Sequence, residues 1–337
     1  MNSNEYMLQL HKRILEKTYG TPPRQVGENT AAAYIKTLYN LNGKKPFKNL
    51  AFLKKTDEIM KKIAEYADST QKTLVSSLAS VLSLEKDKGG YKKAYKFYYD
   101  KMMSKAKEAK EVDTSEKTTK QEENWLTWDE VKKRYTELKD ATANIKKPST
   151  DDLLSLLVLG LYVEVPPRRN QDYLHMKVIK TRADKFATPL NTFKDDNFLV
   201  IRKGVPVEFV FNKYKTSKTY GTQTISIPTE LSEIIKRYVK AHPENKSKEF
   251  HLLVGADGTH ITADNSITRI LNRVFGKNVG SSMLRHIYLS SKYDVTTMSN
   301  DAEAMAHSLN QQKEYLKGSS PPVEPPSPQS DGVSQSQ

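Results

Sequence analysis

The chain contains no cysteine and no long apolar run, and each absence removes a class of function. Without cysteine among its 337 residues, disulfides, zinc-finger sites and thiol catalysis are excluded. The most apolar stretch, LLSLLVLGLYV (153–163), has about 11 residues, which suits a buried helix better than a membrane span. The first residues, MNSNEYMLQLHKRILEK, lack the apolar run of a signal peptide. We therefore expect a soluble intracellular protein with no membrane partner.

The balance of charge favours polyanionic partners. Lys and Arg number 54 against 40 Asp and Glu, which gives a formal net charge of +14. A surplus of this size attracts nucleic acids, but ribosomal and membrane-surface proteins share it. Charge alone therefore makes nucleic acid a candidate partner without selecting it.

The composition changes along the chain and divides it into five parts. Residues 1–20 are predicted as an N-terminal helical extension and 21–106 as an all-helical domain, because apolar residues recur there at helical spacing. Residues 107–124 are charged and aperiodic, as linkers are. The pattern in 125–317 mixes helices and strands. Residues 318–337 are rich in Pro and Ser, and we expect them to be disordered.

Within the helical domain, the stretch GGYKKAYKFYYDKMM interleaves lysine with aromatic residues. Two interpretations remain open. Either the aromatic side chains pack inward from an amphipathic helix with solvated lysines, or the lysines contact DNA phosphates. The candidate DNA-contacting lysines, which include one from a later hairpin, are Lys92, Lys93, Lys96 and Lys213.

The second domain opens with a helix and then forms a corner. Residues Thr127 to Glu130 make a capping box, which begins a helix. The apolar helix DDLLSLLVLGLYVEV is stopped by the two prolines of PPRR. Arg168 and Arg169 therefore follow a buried helix directly.

Short β-like runs come next, namely FLVIR, VEFVF and TQTISIP, and NKYKTSKTYG joins the last two as a lysine-rich hairpin. Helical patterns return in PTELSEIIKRYVKAH and in SITRILNRVFG. The apolar residues that share one face of the latter are Ile267, Ile270, Leu271 and Val274. SSMLRHIYLSSKY and MAHSLNQQKEYLK (305–317) follow. The fold class predicted is mainly α with a small antiparallel sheet.

The order of these elements resembles the catalytic domain of tyrosine recombinases, the lambda-integrase family of site-specific recombinases. An arginine corner, a hairpin lysine, an x-x-Arg motif, a histidine and a terminal tyrosine occur in the family's order. The helical part before them is similar to the family's SAM-like core-binding domain. The PPRR corner and LRHIYLSSKY look most like members from large DNA viruses, virophages and related mobile elements. If the protein is viral, we expect it in the host nucleus or a cytoplasmic viral factory.

The resemblance implies roles for the residues of the corner and the hairpin. The family's first Arg has an acidic residue three positions later, which Arg169 with Asp172 fits better than Arg168 does. The hairpin lysine commonly opens a Lys-Thr turn, which points to Lys215. Lys218 belongs to a second Lys-Thr pair in the same hairpin and stays an alternative.

The remaining family positions lie near the end of the domain. The His-x-x-Arg motif appears as SMLR, so Arg285 matches its Arg while Ser282 occupies the His position. His286 follows directly and is interpreted as structural or as supporting the site. His307 matches the second His, and Tyr315 matches the nucleophile, one residue closer to His307 than in most members.

These residue types suit metal-free cleavage of a phosphodiester. Guanidinium groups fork the non-bridging oxygens, a histidine donates or moves a proton, and a lysine protonates the leaving 5′ oxygen. Attack by tyrosine leaves a 3′-phosphotyrosine, which conserves the bond energy for rejoining, so neither metal, ATP nor another cofactor is required. A metal nuclease would need clustered carboxylates. The acidic pairs nearby look like a helix start and a turn: Asp151, Asp152, Asp195 and Asp196.

The resemblance implies a partner, double-stranded DNA, and a homo-tetramer that exchanges strands on paired sites through a Holliday junction. Two other classes stay open. A type IB topoisomerase shares the chemistry but relaxes supercoils as a monomer. A catalytically inactive DNA-binding module derived from a recombinase would fit the Ser282 substitution and the shortened spacing between His307 and Tyr315.

Overall fold

A computed structural model describes residues 2–20, 23–111, 117–184, 186, 188–292, 301 and 304–305. The chain separates into two compact units, residues 1–113 and 114–337. In the described ranges, no helix combines the length and the apolar character that crossing a membrane requires.

The first unit is helical apart from one small ribbon. Its helices are α1 (Ser3–Glu16), α2 (Glu28–Leu41), α3 (Thr56–Ala64), α4 (Asp68–Leu82) and α5 (Lys92–Glu111), with a 3-10 turn at Ala51–Lys54. Strands β1 (Thr18–Tyr19) and β2 (Arg24–Gln25) pair antiparallel.

Helix α1 is part of this unit's core rather than a separate extension. Its Leu10 and Ile14 are fully buried, and Arg13 donates a hydrogen bond from Nη1 to Glu85 Oε1 at 2.6 Å. The prediction of an extension over 1–20 therefore differs from the structure. The reason is that two apolar residues one helical turn apart are enough to seat a helix against a neighbouring core.

Much of the predicted linker, 107–124, is also helical. Helix α5 continues to Glu111, and α6 (Thr119–Asn124) begins at a capping box formed by Thr118 and Gln121. Asn124 is buried, and its Oδ1 accepts a hydrogen bond from the Asn278 backbone at 2.8 Å. Charge without apolar periodicity suggested a linker, but capping and one buried side chain fix residues 118–124.

The second unit contains the remaining elements. Its helices are α7 (Trp128–Asn144), α8 (Thr150–Val163), α9 (Asn170–Leu174), α10 (Ser217–Tyr220), α11 (Thr229–Ala241), α12 (Ser266–Phe275) and α13 (Ser281–Ser290). Its strands are β3 (Lys177–Thr181), β4 (Asn197–Arg202), β5 (Val205–Phe211), β6 (Gln223–Ser226) and β7 (Glu249–His251).

The predicted starts, stops and faces of several helices are confirmed. The capping box of α7 is present, with the Thr127 backbone donating to Glu130 Oε2 at 2.7 Å. Helix α8 is buried along its length and ends just before the two prolines. The apolar face predicted for α12 is buried, and Gly276 ends that helix at a φ of 63°, where a side chain would be strained.

The five-stranded sheet has the order β6-β5-β4-β3-β7 and is mixed. Strands β3 and β4 are parallel, while the other neighbouring pairs are antiparallel. The prediction of an antiparallel sheet is therefore wrong for this pair. The segment between them, 182–196, is long enough to cross over and return in the same direction. One face of the sheet packs against α8 and α11 in the main core.

Candidate functional site

The corner after α8 is built around a buried ion pair between Arg168 and Asp172. Neither side chain has any exposed surface, and Arg168 Nε donates to Asp172 Oδ2 at 2.9 Å. The guanidinium carbon lies 3.9 Å from the centroid of the Phe211 ring and 5.1 Å from that of Tyr214. Strand β5 and the hairpin thus form an aromatic cage around the cation.

Arg168 also ties this corner to two distant parts of the chain. Its Nη1 donates to Gln223 Oε1 at 2.9 Å, at the start of β6, and to the Ala304 carbonyl at 2.5 Å. A lysine could not replace it, because the bonds to Asp172 and to Gln223 start from different nitrogens of one rigid planar group, whereas an ammonium has a single nitrogen. Arg168 therefore holds the α9, β6 and 304–305 segments together.

Arg169 has a different environment from its neighbour. It is partly exposed and occupies the N-cap position of α9. The pattern of the sequence paired Arg169 with Asp172, but the ion pair is made by Arg168, four residues before the acid. A fully buried side chain cannot reach a phosphate. Of the two neighbouring arginines, Arg169 is therefore the one that is accessible to a ligand.

Arg285 reaches the same corner from α13 and is 7% exposed. Burial raises the pKa of the Asp172 carboxyl above its ordinary value. Three positive charges oppose this rise, those of Arg168, Arg169 and Arg285. Three arginines, of which the first and the last are more than a hundred residues apart in sequence, thus act on one carboxyl group. Their combined positive charge exceeds the negative charge of that group, which suits an anionic ligand.

A buried hydrogen-bond chain fixes α9 against its neighbours. The Tyr162 hydroxyl donates to Asn170 Oδ1 at 2.8 Å, and Asn170 Nδ2 donates to Thr268 Oγ1 at 2.9 Å. Burial raises the pKa of Tyr162 well above its ordinary value, while the charge of Arg285 opposes the rise. Tyr162 is thus a phenol that positions the corner, with no exposed surface of its own.

The lysine-rich hairpin between β5 and β6 contains the short helix α10. Strands β5 and β6 pair antiparallel on either side of it, as predicted. Lys213, Lys215 and Lys218 are all exposed, so each ammonium group is accessible to a phosphate. The hairpin is closed at its base, where the Tyr214 hydroxyl donates to the Gly221 carbonyl at 2.6 Å.

Asn197 joins the hairpin to the arginine corner and was not predicted. It is 6% exposed at the first position of β4. Its Nδ2 donates to the carbonyls of Asp172 at 2.9 Å and Lys213 at 2.8 Å. Its Oδ1 accepts from the backbone N–H groups of Asn212 at 2.9 Å and Lys213 at 2.8 Å. The only signal in the sequence is an asparagine preceding an apolar strand.

The other predicted residues fall into three groups. Ser282 is exposed in the first turn of α13, and His286 is partly buried further along that helix. Lys92, Lys93 and Lys96 are exposed on α5, where the Tyr98 hydroxyl faces inward and donates to the Leu53 carbonyl at 3.0 Å. The remaining predicted site residues and the tail lie outside the described residues: His307, Tyr315 and 318–337.

Three histidine rings contact one another beside the arginine corner. The rings of His251 and His260 are parallel with centroids 3.7 Å apart, and His175 meets His260 edge-on at 5.3 Å. Burial lowers the pKa values of His175 and His251, and the charge of His260 lowers both further. In the part of the chain that the structure describes, no group of three or more histidine or acidic side chains is arranged to hold a metal ion.

A scan against models of protein families finds no match, and no curated protein matches the sequence.

We predict that Arg168 and Arg169 differ sharply in their effect on stability. Arg168→Met should cost about 3–5 kcal/mol of unfolding free energy, because it leaves the Asp172 carboxyl buried without its partner. Arg169→Met, the matched control, should cost less than about 1 kcal/mol because its side chain is partly exposed. Both tryptophans, Trp125 and Trp128, belong to the second unit, so guanidinium unfolding followed by their fluorescence measures the difference. Equal losses in the two variants would contradict this assignment.

The histidine stack predicts a loss of stability in mild acid. Because the pKa of His251 is lowered in the folded chain, the unfolded chain binds more protons as the pH falls below about 6.5. Stability should therefore fall between about pH 7.5 and 5.5, and less so in His251→Phe, which keeps an aromatic ring without the titration. Melting temperatures of both proteins across this range measure the effect. An identical pH dependence in the variant would show that the stack does not titrate as inferred.

Proposed function

We propose that the protein is a site-specific DNA recombinase or integrase that cleaves and rejoins DNA through a 3′-phosphotyrosyl intermediate. The observation that carries the proposal is the gathering of Arg169 and Arg285 beside the buried Arg168–Asp172 pair. Guanidinium groups whose charges act on a single buried carboxyl group favour an anion such as a phosphodiester beside them.

In this proposal, Arg169 and Arg285 hold the two non-bridging oxygens of the scissile phosphate. Charge builds on those oxygens as the pentacovalent phosphorane forms, and donors already in place stabilise it without reorganising. Asp172 holds Arg168 in place rather than touching DNA, since its side chain is fully buried. Arg168 has the same positioning role.

The proton transfers fall to the hairpin and to the end of the domain. Tyr315 Oη attacks phosphorus, the bond from phosphorus to the 5′ oxygen breaks, and Lys215 donates a proton to that leaving oxygen. The Tyr315 proton passes to His307 in the same step. Reversal of these transfers, with a 5′ hydroxyl attacking the phosphotyrosine, rejoins the strand without ATP or a metal ion. Lys218 is the alternative donor, because it is exposed in the same hairpin.

Two contacts support bringing these groups to one phosphate. Asn197 ties the base of the hairpin to the backbone of Asp172. Arg168 binds the carbonyl of Ala304, three residues before His307 in the sequence. The base of the hairpin that carries the lysines is thus bonded to the arginine corner. Ala304, which precedes His307 and Tyr315 in the sequence, is bonded to the same corner.

For the whole chain, we propose that the helical first unit acts as a SAM-like core-binding domain and the second as the catalytic domain, which together clamp a duplex. The exposed lysines of α5 would contact phosphates, and a homo-tetramer would pair two sites. A viral or mobile-element origin is part of the same proposal. A catalytically inactive DNA-binding module is the second candidate, because Ser282 stands where the family has a histidine and is exposed.

We predict that Tyr315→Phe abolishes covalent attachment to a nicked suicide DNA substrate while leaving folding and DNA affinity intact. The change removes one oxygen, and a lost hydrogen bond costs only about 0.5–1.5 kcal/mol, whereas a nucleophile has no substitute. Arg169→Ala and Arg285→Ala should also reduce attachment severely, each by several kcal/mol of transition-state stabilisation. Denaturing gels of labelled DNA measure the adduct.

This assay and a relaxation assay on supercoiled DNA separate the candidate functions. Failure of the wild-type chain to attach to DNA it binds would favour the inactive module. Relaxation of supercoiled DNA without any site requirement would favour a type IB topoisomerase. Attachment by Tyr315→Phe at the wild-type level would refute the proposed nucleophile.

The hairpin gives a second prediction, based on the leaving group. Lys215→Ala should cleave ordinary DNA slowly but recover on DNA with a 5′-bridging sulfur, because a thiolate leaves without a proton. Asn197→Ala should show the same recovery, since it displaces the hairpin without removing the lysine. Lys218→Ala is the matched control and should cleave both substrates normally. Recovery in Lys218→Ala alone would move the general acid to that residue, and a melting curve for Asn197→Ala excludes unfolding as the cause.

A further inference from the structure

A basic groove lies at the end of the sheet away from the arginine corner. It is formed by the end of β3, the turn between β4 and β5, the last turns of α11 and the segment 245–249, and it has a volume of about 1560 Å³. Strand β4 begins at Asn197 beside the corner and ends at Arg202 beside the groove. The five residue-to-residue steps from Asn197 to Arg202 span about 16 Å, so the sheet-end groove is distinct from the proposed active site.

The floor of the sheet-end groove is apolar. Ile201 and Val239 line it from the face of the main core and are buried, at 4% and 7% exposure. Ile179 and Phe186 line it from the other face of the sheet and are partly buried. The groove is larger than the roughly 300–1,000 Å³ typical of small-molecule sites. A floor of this kind stabilises apolar side chains that enter it from a partner.

The rim of the groove is basic. Its cationic residues are Lys180, Arg182, Lys203, Lys236, Lys240 and Lys248, against one acidic residue, Glu249. Lys203 and Gly204 form a tight two-residue turn with φ values of 51° and 84°, which holds that part of the rim in place.

Part of this charge is already compensated. Lys203 pairs with Asp184 at 2.9 Å, and Lys236 pairs with Glu233 at 2.6 Å. For the described residues, no acidic group lies within ion-pair distance of three others on the rim: Arg182, Lys240 and Lys248. These three cations are exposed and surround an apolar floor.

We propose that the sheet-end groove binds an acidic peptide segment of a partner protein, with its carboxylates on the rim and its apolar side chains on the floor. An extended peptide that alternates acidic and apolar residues presents the two kinds of side chain to opposite sides, which matches rim and floor. Duplex DNA fits less well. It offers evenly spaced phosphates on a broad cylinder and no apolar side chain to fill the groove.

The test uses the full chain and a fluorescein-labelled peptide of alternating glutamate and leucine, followed by fluorescence anisotropy. The wild-type chain should bind it, and the double variant Arg182→Glu, Lys240→Glu should bind at least about tenfold more weakly, because like charges then face each other. Lys133→Glu, an exposed lysine on α7, is the control and should leave the affinity unchanged. A peptide with glutamine in place of glutamate should bind weakly to all three proteins.

Several results would overturn the proposal. The glutamate peptide fails to bind the wild-type chain, the glutamine peptide binds as tightly as the glutamate peptide, or the double variant binds the glutamate peptide with wild-type affinity. A labelled duplex in the same assay gives the other outcome: loss of duplex affinity without loss of peptide affinity would make the groove a DNA surface. DNA cleavage should be unchanged in the double variant, so the inference stands or falls independently of the proposed function.

Discussion

The buried ion pair between Arg168 and Asp172 is the interaction on which the candidate site depends. Removing two charges from water is costly, and the chain offsets that cost by surrounding the pair with donors, acceptors and aromatic rings from several elements. Gln223 brings β6 to the pair, and the Ala304 carbonyl brings the segment after α13. Arg285 completes the arrangement from α13. The corner thus combines a fixed geometry with an excess of positive charge, since Arg169 and Arg285 add their charges to that of the compensated pair.

Local patterns predicted the helices of this protein well, but not the partners of its buried polar groups. The capping box at Thr127 and the face of α12 depend on residues a turn apart, so spacing reveals them. Strand β3, KVIKT, has only two apolar residues, which stand side by side between two lysines. Its parallel pairing with β4 follows from a crossover that spacing does not encode. The sequence likewise did not show which of Arg168 and Arg169 is buried. The ring that packs against the buried arginine, Arg168, belongs to Phe211, which is distant in the sequence. A short-range spacing rule cannot include that contact.

The two ends of the sheet carry the positive charge in different ways. At the end where β4 begins, the Asp172 carboxyl group holds Arg168, and Asn197 binds the Asp172 carbonyl, so the corner that carries Arg169 has a defined geometry that suits a phosphate. At the other end, exposed cations such as Arg182 and Lys240 surround an apolar floor. A net charge of +14 therefore need not describe a single DNA-binding surface. We propose that only the first end acts on DNA and that the second binds protein.

Mapping the peptide that becomes linked to DNA tests the account's central claim most directly. A nicked suicide substrate carrying a radiolabel at the cleavage site is incubated with the wild-type chain, and the protein is digested and sequenced by mass spectrometry. The account predicts a single 3′-phosphotyrosyl peptide that contains EYLK, with the link on Tyr315. A link on Tyr288, which lies on α13 close to Arg285 in sequence, or no covalent link to bound DNA, would contradict it.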